Sequence, residues 1–240
     1  MNNKFQILLP VYNEALHIEN LLIEISNKLR NKIDFSFIIS EDGSNDGTKE
    51  ILIKLKDKLN MELIIDNERK FYSRAVMDGI KIATADYLLI MDSDGQCDPG
   101  DIIKFWEIRK ESDLINGYRV NRQDFMYRKI FSNICLIIYK ILFNVPLRDP
   151  SFAFILMSKK VYKSLSNYNV ECPDGFFWEF NARAKKFGYT FAEIEINHRK
   201  RSSGQTKIYH YKSLPGIAFN HLLGLLKVKF QKFKKNVDKK

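Results

Sequence analysis

Three times in its first hundred residues this chain runs a short apolar segment into a polar, acid-rich loop. Ile7-Leu8-Leu9-Pro10-Val11 meets Tyr12-Asn13-Glu14, and Phe35-Ser36-Phe37-Ile38-Ile39-Ser40 meets Glu41-Asp42-Gly43-Ser44. Leu88-Leu89-Ile90-Met91 meets Asp92-Ser93-Asp94-Gly95-Gln96. The apolar residues bury a strand, and the polar side chains emerge at its carboxyl end, which in open α/β sheets is the edge where ligands bind. Three such loops at one edge imply one site.

Asp92 and Asp94, with Gln96 as a third oxygen, are candidate ligands of a hard cation. Mg²⁺ or Mn²⁺ takes oxygen ligands and is usually bound by one or two carboxylates together with substrate phosphates. The same residue types also favour surface turns, so the motif alone leaves both readings open.

The rest of the chain alternates strand and helix patterns. Strands are expected up to 11, over 35–40, 62–66 and 88–91, and through Leu114 and Ile115. Helices are expected over 14–29, up to 59, over 73–83 and near 102–110, the second capped by Asp46 or Ser44. Beyond them the pattern predicts a strand over 152–157, a helix over 176–187 closed by Gly188, and a strand over 190–197. Such alternation predicts an α/β fold with a mostly parallel central sheet and helices on both faces. With 240 residues, 45% of them hydrophobic, the chain can bury one large core. We expect one domain over 1–212, then an amphipathic helix and basic tail over 213–240. No linker, repeat or low-complexity tract divides it, and the N-terminus does not read as a signal peptide. Cys97, Cys135 and Cys172 are odd in number and lack metal-like spacing, which fits reduced thiols in the cytosol.

Together the motifs resemble glycosyltransferase family 2 on the Rossmann-like GT-A fold, where a Pro-x-Tyr-Asn-Glu strand end, an Asp-Asp-Gly-Ser loop and an Asp-x-Asp loop hold a nucleotide sugar. The resemblance implies donor contacts from Pro10, Tyr12, Glu14, Glu41, Asp42, Ser44, Asp92 and Ser93, with Glu41 standing where Asp is usual. A closer resemblance, to the dolichyl-phosphate mannose synthase and polyprenyl-phosphate glycosyltransferase branch, is carried by several later segments. They are Asp92-x-Asp94-x-Gln96 with Asp98-Pro99, Asn116-Gly117-Tyr118-Arg119-x-x-Arg122, Arg148-Asp149-Pro150-Ser151-Phe152 and Arg201-x-x-Gly204-x-Thr206-Lys207. The chain departs from that branch in reading Lys70-Phe71-Tyr72-Ser73-Arg74 at an expected glycine-rich segment, and in Thr206 where Ser is commoner.

What the resemblance implies is transfer of a hexose, with inversion by a single displacement, from a UDP- or GDP-sugar in the presence of Mg²⁺ or Mn²⁺. Asp92, Asp94, Arg119, Asp149 and Glu179 are the candidate catalytic residues. Arg119, Arg122, Arg148, Ser151, Arg201 and Lys207 are candidates for phosphate or acceptor binding, because guanidinium forks match phosphate oxygens. A sugar hydroxyl acceptor would need a general base, Asp149 or Glu179. A polyprenyl phosphate is already ionised and would need cations instead. Polyprenyl phosphate is the preferred acceptor, with a glycan hydroxyl as the alternative. An idle nucleotide-sugar sensor or scaffold is a third reading, against which Asp92 and Asp94 argue.

Two stretches bear on membranes. Ile130, Ile134, Ile137, Ile138, Ile141 and Leu142 recur at helical spacing in a helix too short to span a bilayer, which reads either as a core or dimer helix or as a lipid-facing one. The second stretch runs from Ser213 through Leu214, Ile217, Leu222, Leu225 and Leu226 into a tail whose seven lysines and one aspartate carry six of the ten net positive charges. That tail suits an anionic membrane surface, or simply keeps the chain soluble. Nucleic acid is not expected, since no recognition motif accompanies the charge. Attachment is expected to be peripheral, on the cytoplasmic face of a membrane, with a homodimer or a membrane-protein partner left open.

Overall fold

The computed structural model describes residues 4–120, 126–197, 199 and 214–232, with the side chains of 126–131, 214 and 215 left aside. In chain order the first half comprises β1 (Phe5–Val11), α1 (Ile18–Leu29), β2 (Phe35–Glu41), α2 (Thr48–Lys56), β3 (Met61–Ile65), α3 (Tyr72–Ile82), β4 (Tyr87–Met91) and α4 (Asp101–Glu107). The second half comprises β5 (Leu114–Arg119), α5 (Met126–Phe143), β6 (Phe154–Ser158), α6 (Lys159–Ser164), α7 (Phe176–Lys186), β7 (Phe191–Ile196) and α8 (Leu214–Phe230).

The strands form one sheet in the order β3-β2-β1-β4-β6-β5-β7. β1 pairs in parallel with β2 and β4, β2 with β3, and β5 with β7, whereas β6 runs antiparallel to both β4 and β5. The carboxyl ends of six strands and the amino end of β6 therefore share one edge. Because side chains alternate across a strand, the apolar runs split cleanly between the two faces. Ile7, Leu9, Ile39, Leu89 and Leu156 pack with Ile18 and Leu22 of α1, Leu52 of α2 and Phe105 of α4. Leu8, Ile38, Leu88, Ile90 and Ile155 pack with Val76 and Ile80 of α3, Tyr162 of α6 and Phe180 of α7. A sheet covered on both faces needs uninterrupted apolar strands, which is why these runs lack polar alternation. A third cluster, with Tyr139 and Phe143 of α5, Ala182 of α7 and Leu225 and Val228 of α8, seats α5 and α8 on the body.

The structure departs from the sequence reading in a few places. The first helix begins at Ile18, because the Ile18 N–H and the His17 N–H both turn back onto the Glu14 carbonyl, at 2.9 and 3.0 Å. The second ends at Lys56. α6, directly after β6, carries no pattern strong enough to be foreseen over six residues. Asp46 does accept the Thr48 N–H at 3.1 Å beside the start of α2, whereas the Ser44 hydroxyl is turned to Asn13.

Candidate functional site

The sheet order reverses at β1, which has β2 on one side and β4 on the other, and a crevice opens beyond the strand ends at such a point. The loops after β1 and β4 are tied across it, with the Ser93 hydroxyl donating to the Pro10 carbonyl at 2.8 Å. The loops after β1 and β2 are tied as well: the Asn13 N–H donates to Ser44 Oγ and the Glu14 N–H to Thr48 Oγ1, both at 2.9 Å. Gly43 has φ +73°, and a Cβ there would lie 2.6 Å from the Glu68 carbonyl carbon, so only glycine lets the chain after β3 close onto this loop. That closure brings the Lys70 N–H to Asp42 Oδ1 at 2.6 Å and lays the Arg69 guanidinium over the Tyr12 ring, 4.0 Å from its centroid, and over Phe71 at 4.9 Å. Burial pushes the Asp42 carboxyl up, while the Lys70 N–H and the Arg69 charge pull it back. An aromatic ring, a guanidinium and a buried carboxylate in one corner can stack on and hydrogen-bond to a nucleobase or ribose.

Asp92 and Asp94 project from the loop after β4 and are both partly exposed. The Tyr72 hydroxyl donates to Asp92 Oδ1 at 2.6 Å, and the Gln96 N–H donates to Asp94 Oδ1 at 3.0 Å. Burial, then the Asp92 charge, pushes the Tyr72 phenol well up, so it remains a donor. The neighbouring Cys97 thiol is pushed well up by burial and then by the charges of Asp92 and Asp94, against the pull of Arg119. Among the described residues no three His, Cys, Asp or Glu side chains converge as a metal cage. Two carboxylates with an amide oxygen fit instead a hard cation whose remaining ligands are water and substrate phosphates. The Gln96 amide nitrogen reaches the Arg199 carbonyl at 3.4 Å, which makes its oxygen the atom to offer a cation.

β7 ends beside this loop. The Arg199 N–H donates to the Gln96 carbonyl at 2.7 Å, and the Arg199 guanidinium bridges Glu24 at 2.9 Å and Asp98 at 3.0 Å. On β5, Arg119 makes a two-pronged pair with Asp149, at 2.7 and 3.1 Å, over the Phe152 ring. The Ser151 hydroxyl donates to the same carboxylate at 2.9 Å. Arg148 is mostly exposed, lying over the Tyr118 ring with its Nε 3.7 Å from Glu193.

Pro10, Tyr12, Glu14, Asp42, Ser44, Asp92, Ser93, Asp94, Gln96, Arg119, Arg148, Asp149 and Ser151 thus gather along one edge, whereas Arg122, Arg201 and Lys207 lie outside the described residues. Two of the expected residues are turned inward. Glu41 is fully buried and accepts the Gly43 and Ser44 N–H groups of its own loop, which it braces. Glu179 is also fully buried, pairs with Arg183 at 2.7 Å and accepts the Glu171 and Cys172 N–H groups. Sequence reasoning missed Arg69, Tyr72 and Arg199. The only signal for the first two was the basic and aromatic run at 69–74.

Residues 6–166 match the family described as Glycosyl transferase family 2. The dolichol-phosphate mannosyltransferase of Pyrococcus furiosus is 29% identical over 171 residues, 68% of this chain and 48% of that protein. An undecaprenyl-phosphate 4-deoxy-4-formamido-L-arabinose transferase of Pectobacterium atrosepticum is 24% identical over 221 residues, 90% of this chain and 65% of that protein. The chain therefore spans about half to two thirds of the length of these relatives. Among solved structures, glucosyl-3-phosphoglycerate synthase from Mycobacterium tuberculosis, in complex with Mn²⁺, UDP and glucosyl-3-phosphoglycerate, superposes with a TM-score of 0.71 at 14% identity, covering 97% of this chain and 82% of that one. A mannosyltransferase from Pyrobaculum calidifontis, in complex with GDP-Man and Mn²⁺, gives 0.66 at 15% identity, covering 98% and 66%. At such identities the likeness is one of fold.

Proposed function

The chain belongs to glycosyltransferase family 2, and from that premise we propose that it transfers a hexose from a UDP- or GDP-sugar to a polyprenyl phosphate, inverting the anomeric centre in a single displacement. The observation that carries this reading is that the Asp92–Asp94 pair, after β4, and the Arg119–Asp149 pair, at the end of β5 and before β6, share the sheet edge that also carries the Tyr12, Asp42 and Arg69 corner. In this reading the corner binds the nucleoside and the Arg119 side of the edge faces the acceptor.

Asp92 and Asp94, with Gln96, would hold Mg²⁺ or Mn²⁺, which when bound neutralises charge on the departing diphosphate. Arg119, Arg148 and Ser151 would bind phosphate oxygens, Arg119 and Ser151 while also bonded to Asp149, and Arg122, Arg201 and Lys207 are proposed as further phosphate ligands. A phosphate acceptor is favoured because both carboxylates considered as a base are committed elsewhere. Glu179 is buried against Arg183, and Asp149 is gripped by Arg119 on both oxygens. An ionised phosphate needs no base, only cations that let two anions approach.

The acceptor reading extends to a peripheral seat on the cytoplasmic face of a membrane. No described helix is long and apolar enough to cross one. Ile134, Ile137 and Ile141 of α5 and Phe219, Leu223 and Phe230 of α8 are nevertheless exposed, and lysines follow in the tail. Exposed apolar residues on helices with flanking lysines suit the headgroup boundary.

The test is transfer from radiolabelled UDP- and GDP-sugars, with Mn²⁺, to an extractable polyprenyl phosphate. Labelled lipid made by the wild type and lost by at least 100-fold in Asp92→Asn is the expected result. Donor binding with no lipid product would move the acceptor to a carbohydrate hydroxyl.

A further inference from the structure

Residues 66–72 touch the ends of β1, β2 and β4 on the site's edge. The Asp66 N–H reaches the Glu41 carbonyl at 3.3 Å, the Lys70 N–H reaches Asp42, Arg69 covers Tyr12, and Tyr72 reaches Asp92. The segment enters α3 through Phe71 at φ +70°. A bulky residue adopts that conformation only where its surroundings hold it there, and such outliers concentrate at functional sites. The kink sends neighbouring side chains different ways. Phe71 is 62% exposed, whereas the Tyr72 ring lies edge-on to Phe177, with centroids 6.1 Å apart, and points its hydroxyl at Asp92.

The two acids are held by different donors. Asp94 is oriented by a backbone N–H from its own loop, which travels with it; Asp92 is oriented by a phenol anchored on another element. A carboxylate turns easily about its Cβ–Cγ bond, and a fixed donor on one oxygen sets that rotation. Partners of this kind around ligating carboxylates commonly decide metal affinity.

We propose that Tyr72 is a positioning residue for the cation pair: its hydroxyl, anchored by the Phe71 kink and by Phe177, sets the orientation in which Asp92 meets a divalent cation bound with the donor diphosphate. The proposal rests on the reading of Asp92 and Asp94 as cation ligands. The phenol supplies orientation and touches neither sugar nor acceptor.

The experiment measures Mn²⁺ affinity in the presence of UDP or GDP, by electron paramagnetic resonance and calorimetry, on the full chain and its Tyr72→Phe, Asp92→Asn and doubly substituted forms. Phenylalanine keeps the ring against Phe177. Tyr72→Phe is expected to weaken Mn²⁺ binding about 10-fold while metal-free nucleotide affinity and Tm stay near wild type, and to add nothing once Asp92 is Asn. Unchanged or tighter Mn²⁺ binding by Tyr72→Phe, beside a wild type that binds the ion, overturns this inference alone. A wild type whose nucleotide binding ignores Mn²⁺ overturns the cation reading along with it. Should Tyr72→Phe not fold, Phe177→Leu, which keeps the hydroxyl but loosens its ring, is expected to weaken Mn²⁺ binding, and unchanged binding overturns the proposal.

Discussion

Glu179 and Asp92 are both carboxylates, yet one is fully buried and the other opens partly to solvent at the sheet edge. Glu179 sits at 0% exposure against Arg183 at 1%, and Arg183 also donates to the Asn169 carbonyl and the Gln231 amide oxygen. Removing one partner of such a pair strands the other charge in the interior, which costs about 3–5 kcal/mol. Glu179→Ala should therefore lower the unfolding free energy obtained from urea melts by that amount while turnover per folded molecule stays near wild type; a large loss of turnover at unchanged stability would return Glu179 to the catalytic set. Asp92 and Asp94 were legible in the sequence because a polar acid directly after a buried strand has nowhere to go but the sheet edge. Tyr72 and Arg69 were not, because their reach depends on the Phe71 kink and on the bare Cα of Gly43, and neither has a spacing to read.

The element with the most to reveal is α8. Its inner face buries Leu225 and Val228, and His221 packs so closely on Gly175 that a Cβ there would lie 1.8 Å from its ring. The ring is also edge-on to Trp178 at 5.7 Å. Burial pushes His221 down to about 4 from an ordinary 6.5. A depressed imidazole is neutral in the folded chain while the unfolded chain takes up a proton, so stability is intact above pH 6.5 and declines as pH falls toward 4. The loss is at most about 3 kcal/mol at 1.36 kcal/mol per pH unit. Thermal melts between pH 7 and 4.5 should show this decline, and His221→Phe should flatten it relative to wild type. Helical spacing alone pointed to an apolar helix here and in α5, but it could not tell which face α7 would cover.

At the scale of the whole molecule, two features bear on a membrane surface: the charge of the C-terminal sequence and the exposed apolar residues of α5 and α8. Six of ten net positive charges lie in 227–240, and Ile137, Ile141 and Phe230 are 60%, 77% and 79% exposed. Each lysine near an anionic surface contributes about 1 kcal/mol, screened over roughly 8 Å at physiological salt. The chain is expected to sediment with vesicles containing anionic lipid, less so at about 0.5 M salt, where the screening length shortens to about 4 Å, and several-fold less with Ile137→Asp and Ile141→Asp combined. Equal sedimentation with neutral vesicles would remove the electrostatic part. The sequence by itself determined the α/β class, the acidic strand ends and the family resemblance, because apolar runs report burial and a loop residue's type reports its chemistry. Only the tertiary structure decided that β6 runs against its neighbours, that Glu41 and Glu179 turn inward, and that Tyr72 reaches Asp92. Strand direction, burial of a given carboxylate and a hydrogen bond across 20 residues are set by contacts between distant segments, which local periodicity does not encode.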